Sequence, residues 1–232
     1  MKRVCVGLLV CALSLAAQAD LISQPYIAGD FNGWDPGAIQ MTETAPGSGI
    51  WEYTISGVGA GTYQQFKITQ GDWDQNFPAE NSWYSADGAG EVTITFDTNP
   101  VSGGWYLESG QFRLGVSTEP GSWSLVGDYN GWNNADPTQL MTAMGGGIYA
   151  ITQTWTAGVY NFKPVKTGSW DGIGTNSRSI DAWNYYLDLP TESEVTVYVD
   201  AYAGLMKVDV VPEPATLVLL GLGSLAMLRR RR

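Results

Sequence analysis

Two turns with nearly the same sequence each end in a tryptophan. GDFNGW occupies 29–34 and GDYNGW occupies 127–132, so that Trp34 and Trp132 lie 98 residues apart in the 232-residue chain. Each turn is followed by a strand-like segment ending in Phe-Lys, and then by a second tryptophan in GDWD (71–74) or GSWD (168–171). An indole has a broad electron-rich face that can lie against the C–H bonds of a pyranose, and an ammonium group can donate to the sugar hydroxyls. The duplicated pattern therefore indicates sugar binding.

Each of these residues also has a structural interpretation. Trp34 and Trp132 would serve equally well to fold over their turns and cap a β-sandwich. The loop tryptophans Trp73 and Trp170 lie among glycine and polar residues, which favours binding. A lone strand lysine, such as Lys67 or Lys163, is as often a solvated side chain as a binding residue. The loop acids leave Ca²⁺ as an open alternative, although we predict no metal ligands and no cofactor; they are Asp30, Asp72, Asp74, Asp128 and Asp171.

The composition argues against catalysis. The chain contains no histidine, and its two cysteines, Cys5 and Cys11, lie in the first 19 residues. A glycosidase needs only a pair of carboxylates, so a hydrolase is an alternative. No acidic pair recurs in a setting that would raise a carboxyl pKa, and we predict a protein that is not an enzyme.

Both ends are typical of sorting signals. A basic start, an apolar run and the small residues around Ala19 predict a signal peptide, residues 1–19, cleaved after Ala19. At the other end, Pro212, Glu213 and Pro214 precede 14 largely apolar residues and four arginines. Fourteen residues are fewer than the roughly 20 needed to span a bilayer as a helix, so a marginal membrane anchor is the alternative.

The C-terminal segment, 212–232, resembles the PEP-CTERM sorting signals of Gram-negative bacteria. The resemblance implies a hydrophobic sorting helix that is recognised by an exosortase and is held transiently in the inner membrane. It also implies export to the cell surface, outer membrane or extracellular matrix. Between the two ends, residues 20–211 carry six cationic and 22 acidic side chains, a net charge of −16. So acidic a body argues against nucleic acid or anionic lipid as a partner.

The body reads as two tandem copies of one unit. GIWEYTI (49–55) matches GIYAITQ (147–153), and EVTITFD (91–97) matches EVTVYVD (194–200). Apolar and polar residues alternate in these segments, and turns rich in glycine and proline separate them, which predicts an all-β protein of two antiparallel β-sandwiches. We place the modules at 20–109 and 110–211, with QFRLGVS (111–117) opening the second and the first less complete. The extra residue in TYQQFK (62–67), relative to the second copy, predicts a β-bulge near Gln64 and Gln65.

The stretches FRLGVSTEPGSWSLVGDYNGW and YNFKPVKTGSW resemble the family 48 carbohydrate-binding modules, which bind glycogen and starch. The resemblance implies an immunoglobulin-like sandwich without catalytic activity. It also implies a binding surface made by the turn tryptophan, the strand lysine and the loop tryptophan. The matching positions are Trp34, Lys67 and Trp73 in the first module, and Trp132, Lys163 and Trp170 in the second. The family also uses an asparagine before the last strand, where this chain has Gly90 and Ser193, so that Ser193 would supply one hydroxyl contact.

These observations predict an exported, non-catalytic protein that binds a polysaccharide, an α-glucan or an exopolysaccharide, through two tandem modules. Two weak sites on one chain would hold a polymer that either alone would release. The alternative is a structural or adhesive protein of the cell surface or matrix that recognises no sugar. In that case the loop tryptophans Trp73 and Trp170 should be buried.

Overall fold

A computed structural model describes residues 23–86, 90–99, 112–117 and 121–212. The predicted signal peptide, the sorting helix at 215–228 and the proposed module boundary at 109–110 lie outside these residues. Within the described ranges, no helix is both long and apolar enough to cross a membrane. The described residues form strands joined by turns and three short 3₁₀ helices, Asp30–Asn32, Asp128–Asn130 and Pro137–Gln139. The all-β prediction is confirmed.

The first module consists of two sheets. One has the strand order β1-β4-β5 and the other the order β2-β3-β6-β7, and all the pairs are antiparallel. The strands are β1 Tyr26–Gly29, β2 Thr42–Glu43, β3 Ile50–Ser56, β4 Thr62–Thr69, β5 Asn76–Ala86, β6 Glu91–Asp97 and β7 Arg113–Val116.

The second module repeats this plan with one added hairpin. One sheet contains β8, β11, β12, β13 and β14, and the other has the order β16-β15-β10-β9. The strands are β8 Trp123–Gly127, β9 Thr142–Gly145, β10 Ile148–Trp155, β11 Gly158–Lys166, β12 Gly172–Gly174, β13 Ser177–Ser179, β14 Tyr185–Leu189, β15 Ser193–Asp200 and β16 Leu205–Pro212. Among the described strands, the added part of this hairpin is β13, because Gly172 of β12 pairs with Val165 as Asn76 of β5 pairs with Thr69.

Alternation along the strands builds the two cores, as the sequence predicts. In β6 the side chains of Val92, Ile94 and Phe96 are fully buried, and they pack with Phe66 and Tyr84 of the opposite sheet. Strand β15 contributes to the second core in the same way, because every second residue of a strand points to the same face. Each module is thus a sandwich with its own hydrophobic core.

The strand within QFRLGVS belongs to the first module, which corrects its predicted place. β7 pairs with β6, and Phe112, Leu114 and Val116 are buried in the first core. It occupies the position that β16 holds beside β15 in the second module. The first module is therefore not short of a strand, and the second begins at β8. Alternation predicted a strand here correctly, but it cannot specify which neighbour the strand pairs with.

The predicted β-bulge at Gln64 and Gln65 is wrong in position. Both residues pair in regular register with β5, and the register shifts instead between Phe66 and Ile68. The extra residue of the first copy lies before the strand, because Gln65 and Asn161 occupy equivalent places opposite Trp83 and Tyr186.

The two modules are packed closely against each other. The guanidinium of Arg178, in β13, lies between them and is fully buried. Its Nε donates to the Trp83 carbonyl at 3.0 Å, and its Nη1 donates to the Ala201 carbonyl. Trp83 is itself fully buried and packs against Trp123 of the second core. Burial lowers the pKa of Arg178 to about 9, while the nearby Asp171 acts in the opposite direction.

Candidate functional site

The repeated turn is folded by its glycine and asparagine residues. A side chain on Gly29 or Gly127 would meet the backbone oxygen of the neighbouring strand at 2.5 or 2.6 Å, so only glycine allows this close approach. Asn32 Oδ1 accepts from the Gly29 amide at 2.9 Å, and Asn130 Oδ1 accepts from the Gly127 amide at 3.1 Å. These bonds close the turn and direct the next residues outward.

The aspartate of each turn fixes the indole. Trp34 Nε1 donates to Asp30 Oδ1 at 2.9 Å, and Trp132 Nε1 donates to Asp128 Oδ1 at 3.0 Å. The second carboxylate oxygen accepts from a backbone amide of the adjacent strand, that of Gln65 at 2.7 Å or of Asn161 at 3.1 Å. Hydrogen bonds from the Asn161 side chain and backbone and from the Trp132 indole lower the pKa of Asp128.

The turn tryptophans have an unusual backbone conformation. The preceding glycines, Gly33 and Gly131, have positive φ of 65° and 63°. Trp34 and Trp132 follow them in the same left-handed region, with φ of 64° and 61°. A bulky residue rarely adopts this conformation, and strain of this kind is often found at functional sites. Sequence analysis did not anticipate it.

In the second module the three predicted residues line one open cleft of about 580 Å³. Trp132, Lys163 and Trp170 are all among its lining residues. The Lys163 ammonium lies 5.9 Å from the Trp170 ring centroid and donates to the Ala182 carbonyl at 2.7 Å. Burial lowers the pKa of Lys163, and the carboxylate of Asp181 acts in the opposite direction.

Two further residues of this cleft were not predicted from the sequence. Trp183, which is 55% exposed, and Asn184 line it beside the predicted residues. The sequence pattern that could have indicated them is a further short repeat, in which Ala79-Glu80-Asn81 corresponds to Ala182-Trp183-Asn184. The structure bears out this match, since the alanine carbonyl accepts from the strand lysine in both modules.

Ser193 does not belong to the cleft, contrary to its prediction. Its side chain is buried, its Oγ donates to the Thr191 carbonyl at 3.1 Å, and it starts β15 opposite Trp155. The side-chain amide that lines the cleft with Lys163 belongs to Asn184, which directly precedes β14. It does not come from the start of β15, where Ser193 lies.

In the first module the same three residue types lie at one end of the sheet of β1, β4 and β5. The rings of Trp34 and Trp73 are 6.3 Å apart, and Trp73 is 43% exposed. Lys67 Nζ donates to Asn76 Oδ1 at 2.8 Å, to the Pro78 carbonyl at 2.9 Å and to the Ala79 carbonyl at 2.6 Å. Burial lowers the pKa of Lys67, although Glu80 acts in the opposite direction.

The loop acids do not gather into a metal site. Within the described residues there is no group of three or more Asp, Glu, Cys or His side chains placed to hold a metal ion. Asp30 and Asp128 are engaged by indole and amide donors instead. The chemistry available in the second cleft is therefore stacking on indoles and hydrogen bonding by an ammonium, an amide and one carboxylate.

Two segments match known families. Residues 210–232 match the PEP-CTERM protein-sorting motif, which confirms the resemblance of the C-terminal segment to these signals and indicates export to the cell surface. Residues 21–102 match the pullulanase X25 domain, a carbohydrate-binding-like domain. This match differs from the predicted family 48, whose assignment to both modules stays a prediction.

Individual relatives are similar over part of their length. An α-amylase of Niallia circulans is 31% identical over 156 residues, which are 61% of this chain and 12% of the amylase. A 1,4-α-glucan branching enzyme of Aquifex aeolicus is 29% identical over 84 residues, 36% of this chain and 13% of the enzyme. The chain thus spans about an eighth of the length of these relatives. The crystal structure of SusF from Bacteroides thetaiotaomicron aligns over 82% of this chain and 48% of SusF, with 18% identity and a TM-score of 0.34, which does not establish a common fold.

Proposed function

We propose that this chain is an exported, non-catalytic polysaccharide-binding protein, and that its ligand is an α-glucan or an α-glucan-like exopolysaccharide. The observation that carries the proposal is the second-module cleft, which three indoles and a lysine side chain line together. Trp132, Trp170 and Trp183 would stack on sugar faces, while Lys163 and Asn184 would donate to hydroxyls.

The exposure of the second-module loop tryptophan supports binding over a purely structural role. A purely structural role for this indole requires it to be buried, yet Trp170 is 48% exposed. Large exposed aromatic side chains that gather beside polar groups are typical of interaction sites. The matches to a pullulanase domain, an α-amylase and a 1,4-α-glucan branching enzyme favour an α-glucan as the ligand.

The cleft lacks the groups that a glycosidase would need. Hydrolysis requires two carboxyl groups about 5–9.5 Å apart on either side of the scissile bond. Asp181 is the one carboxylate among the residues that line the cleft. We therefore propose a binding role without turnover.

Single-site affinity should be weak. Stacking on one indole contributes about 1 kcal/mol beyond the buried area, so a dissociation constant between roughly millimolar and tens of micromolar is expected. The sorting tail is proposed to be processed by an exosortase, which would leave the modules in the cell envelope or matrix. A protein held among many polymer chains can function with such an affinity.

Affinity electrophoresis tests the proposal. The protein would be run in gels containing starch, glycogen, pullulan or cellulose, beside the variant Trp170→Ala and the matched control Trp51→Phe, a change outside the cleft. We expect the α-glucan gels to retard the protein and the control but not Trp170→Ala. Equal mobility of all three proteins in every gel would contradict the proposed function.

A further inference from the structure

We propose that the two modules have different roles, an inference that rests on the proposed function. The second module binds the glycan along an extended surface that includes Tyr186. The corresponding surface of the first module is closed by the second module, so the first module serves as the base on which the second is fixed.

The equivalence of the two surfaces follows from strand register. Asn161 of β11 pairs with Tyr186 of β14, and Gln65 of β4 pairs with Trp83 of β5. The amides of Asn161 and Gln65 both donate to the aspartate of their own turn, at 3.1 and 2.7 Å. Trp83 therefore holds in the first module the position that Tyr186 holds in the second.

These paired positions lie on the outer face of each sheet. Side chains two residues apart on a strand point to the same face, and directly paired residues share a face. Lys163 therefore shares a face with Asn161 and Tyr186, and we call this surface the β11–β14 face. Its residues are Val159, Asn161, Lys163, Asn184, Tyr186 and Asp188.

The corresponding face of the first module is covered around Trp83, while Tyr63 of β4 on the same face stays 43% exposed. Trp83 has no exposed surface, and the guanidinium carbon of Arg178 lies 3.8 Å from its ring centroid. The Ile180 amide donates to the Asn81 carbonyl at 3.0 Å, and Lys166 Nζ donates to Ser85 Oγ at 2.9 Å. The second module thus lies over the part of the face where a glycan would run.

Lys67 and Lys163 differ in the number of N–H donors that the protein itself engages. An ammonium group has three N–H donors, and Lys67 uses three on acceptors of its own module. Within the described residues, Lys163 is 8% exposed and its Nζ has one hydrogen bond, to the Ala182 carbonyl, so that two of its N–H donors have no acceptor in the protein. The first-module counterpart of Trp183, which lines the second-module cleft, is Glu80.

The β11–β14 face is open beyond the cleft. Tyr186 is 60% exposed and Val159 is 51% exposed. Tyr186 is two residues from Asn184, which corresponds to about 7 Å along a strand. An aromatic ring at that distance provides a further stacking position, so the site is suited to a run of several glucose units.

The experiment uses isothermal titration calorimetry with maltotriose and maltoheptaose on the full chain. The variants are Tyr186→Ala on the open face, Trp170→Ala in the cleft and Trp73→Ala in the first module. We expect Tyr186→Ala to weaken maltoheptaose binding about three- to tenfold, the effect of one aromatic stack, and to change maltotriose binding less than about twofold. Trp73→Ala should leave both affinities unchanged.

The outcomes separate this inference from the proposed function. If the unchanged protein binds neither sugar, the α-glucan function itself fails. It also fails if Trp170→Ala binds both sugars with the affinity of the unchanged protein. If Trp170→Ala loses binding while Tyr186→Ala binds maltoheptaose normally, the function stands and the extended surface is overturned. A loss in Trp73→Ala equal to that in Trp170→Ala would overturn the division of roles.

Discussion

The guanidinium carbon of Arg178 lies 3.8 Å from the centroid of the Trp83 indole, and this contact joins the second module to the first. Both side chains are fully buried. Cation–π attraction is strongest when both groups are desolvated, as here. The contact is therefore central to the fixed arrangement of the two modules.

We expect Arg178→Ala to lower the free energy of unfolding by about 2–4 kcal/mol. The change leaves a cavity beside Trp83, and it leaves the buried carbonyls of Trp83 and Ala201 without their donor. Urea denaturation followed by tryptophan fluorescence measures the effect. The matched control is Lys207→Ala, whose exposed ion pair with Asp209 should contribute at most about 1 kcal/mol. Equal losses in the two variants would contradict a structural role for Arg178 at the interface.

The Trp132 turn should respond to pH through Asp128. The pKa of this carboxyl is lowered below 3.8, so its stabilising bonds are fully present above that value and are lost as the pH falls through the folded-state pKa. The indole N–H resonance of Trp132, followed by NMR, should stay constant from neutral pH to about pH 4 and shift below it.

Asp128→Asn provides the control for this titration. The amide keeps an oxygen that can accept from the indole but has no proton to gain over this range. The acidic shift of the Trp132 resonance should therefore disappear in the variant. A transition centred above pH 3.8 in the unchanged protein would show that Asp128 is not the responsible group.

Gly127→Ala should destabilise the second module by about 2–4 kcal/mol, because the new Cβ would lie 2.6 Å from the Asn161 backbone oxygen. Gly90→Ala is the control, since nothing lies within 4 Å of that position and its φ is not in the left-handed region. We expect the control to change the midpoint of thermal unfolding by less than about 2 °C. A similar small shift in Gly127→Ala would mean that the turn can move away from the strand.

The sequence allowed the sandwiches and the turn to be predicted because their determinants are local. Alternation in EVTITFD and EVTVYVD, and glycine after Asn32 and Asn130, act over a few residues. The place of β7 depends on a pairing between strands, and QFRLGVS fits either sandwich by its pattern. Its assignment to the wrong module was therefore a failure of long-range information.

The site was predicted in part for the same reason. Trp132, Lys163 and Trp170 come together as expected, whereas Trp183 was missed because its counterpart in the first copy is Glu80. Ser193 was chosen by its position before a strand, but the later strand that pairs with the lysine's strand β11 is β14 and not β15. Arg178 covers Trp83 of the first module through a tertiary contact between distant segments, which no local sequence pattern predicts.

The two strand lysines should give opposite results when each is replaced by methionine. Lys67→Met leaves three acceptors without a donor, namely Asn76 Oδ1 and the carbonyls of Pro78 and Ala79. We therefore expect the free energy of unfolding to fall by about 1–3 kcal/mol and the maltoheptaose affinity to stay unchanged. Lys163→Met removes one internal hydrogen bond and two donors that have no acceptor among the described residues, so its maltoheptaose affinity should fall about tenfold with a smaller loss of stability. Calorimetric titration and urea denaturation of both variants separate the two effects. An affinity loss in Lys67→Met as large as that in Lys163→Met would contradict the argument, because a lysine with all three donors engaged has none to offer a sugar.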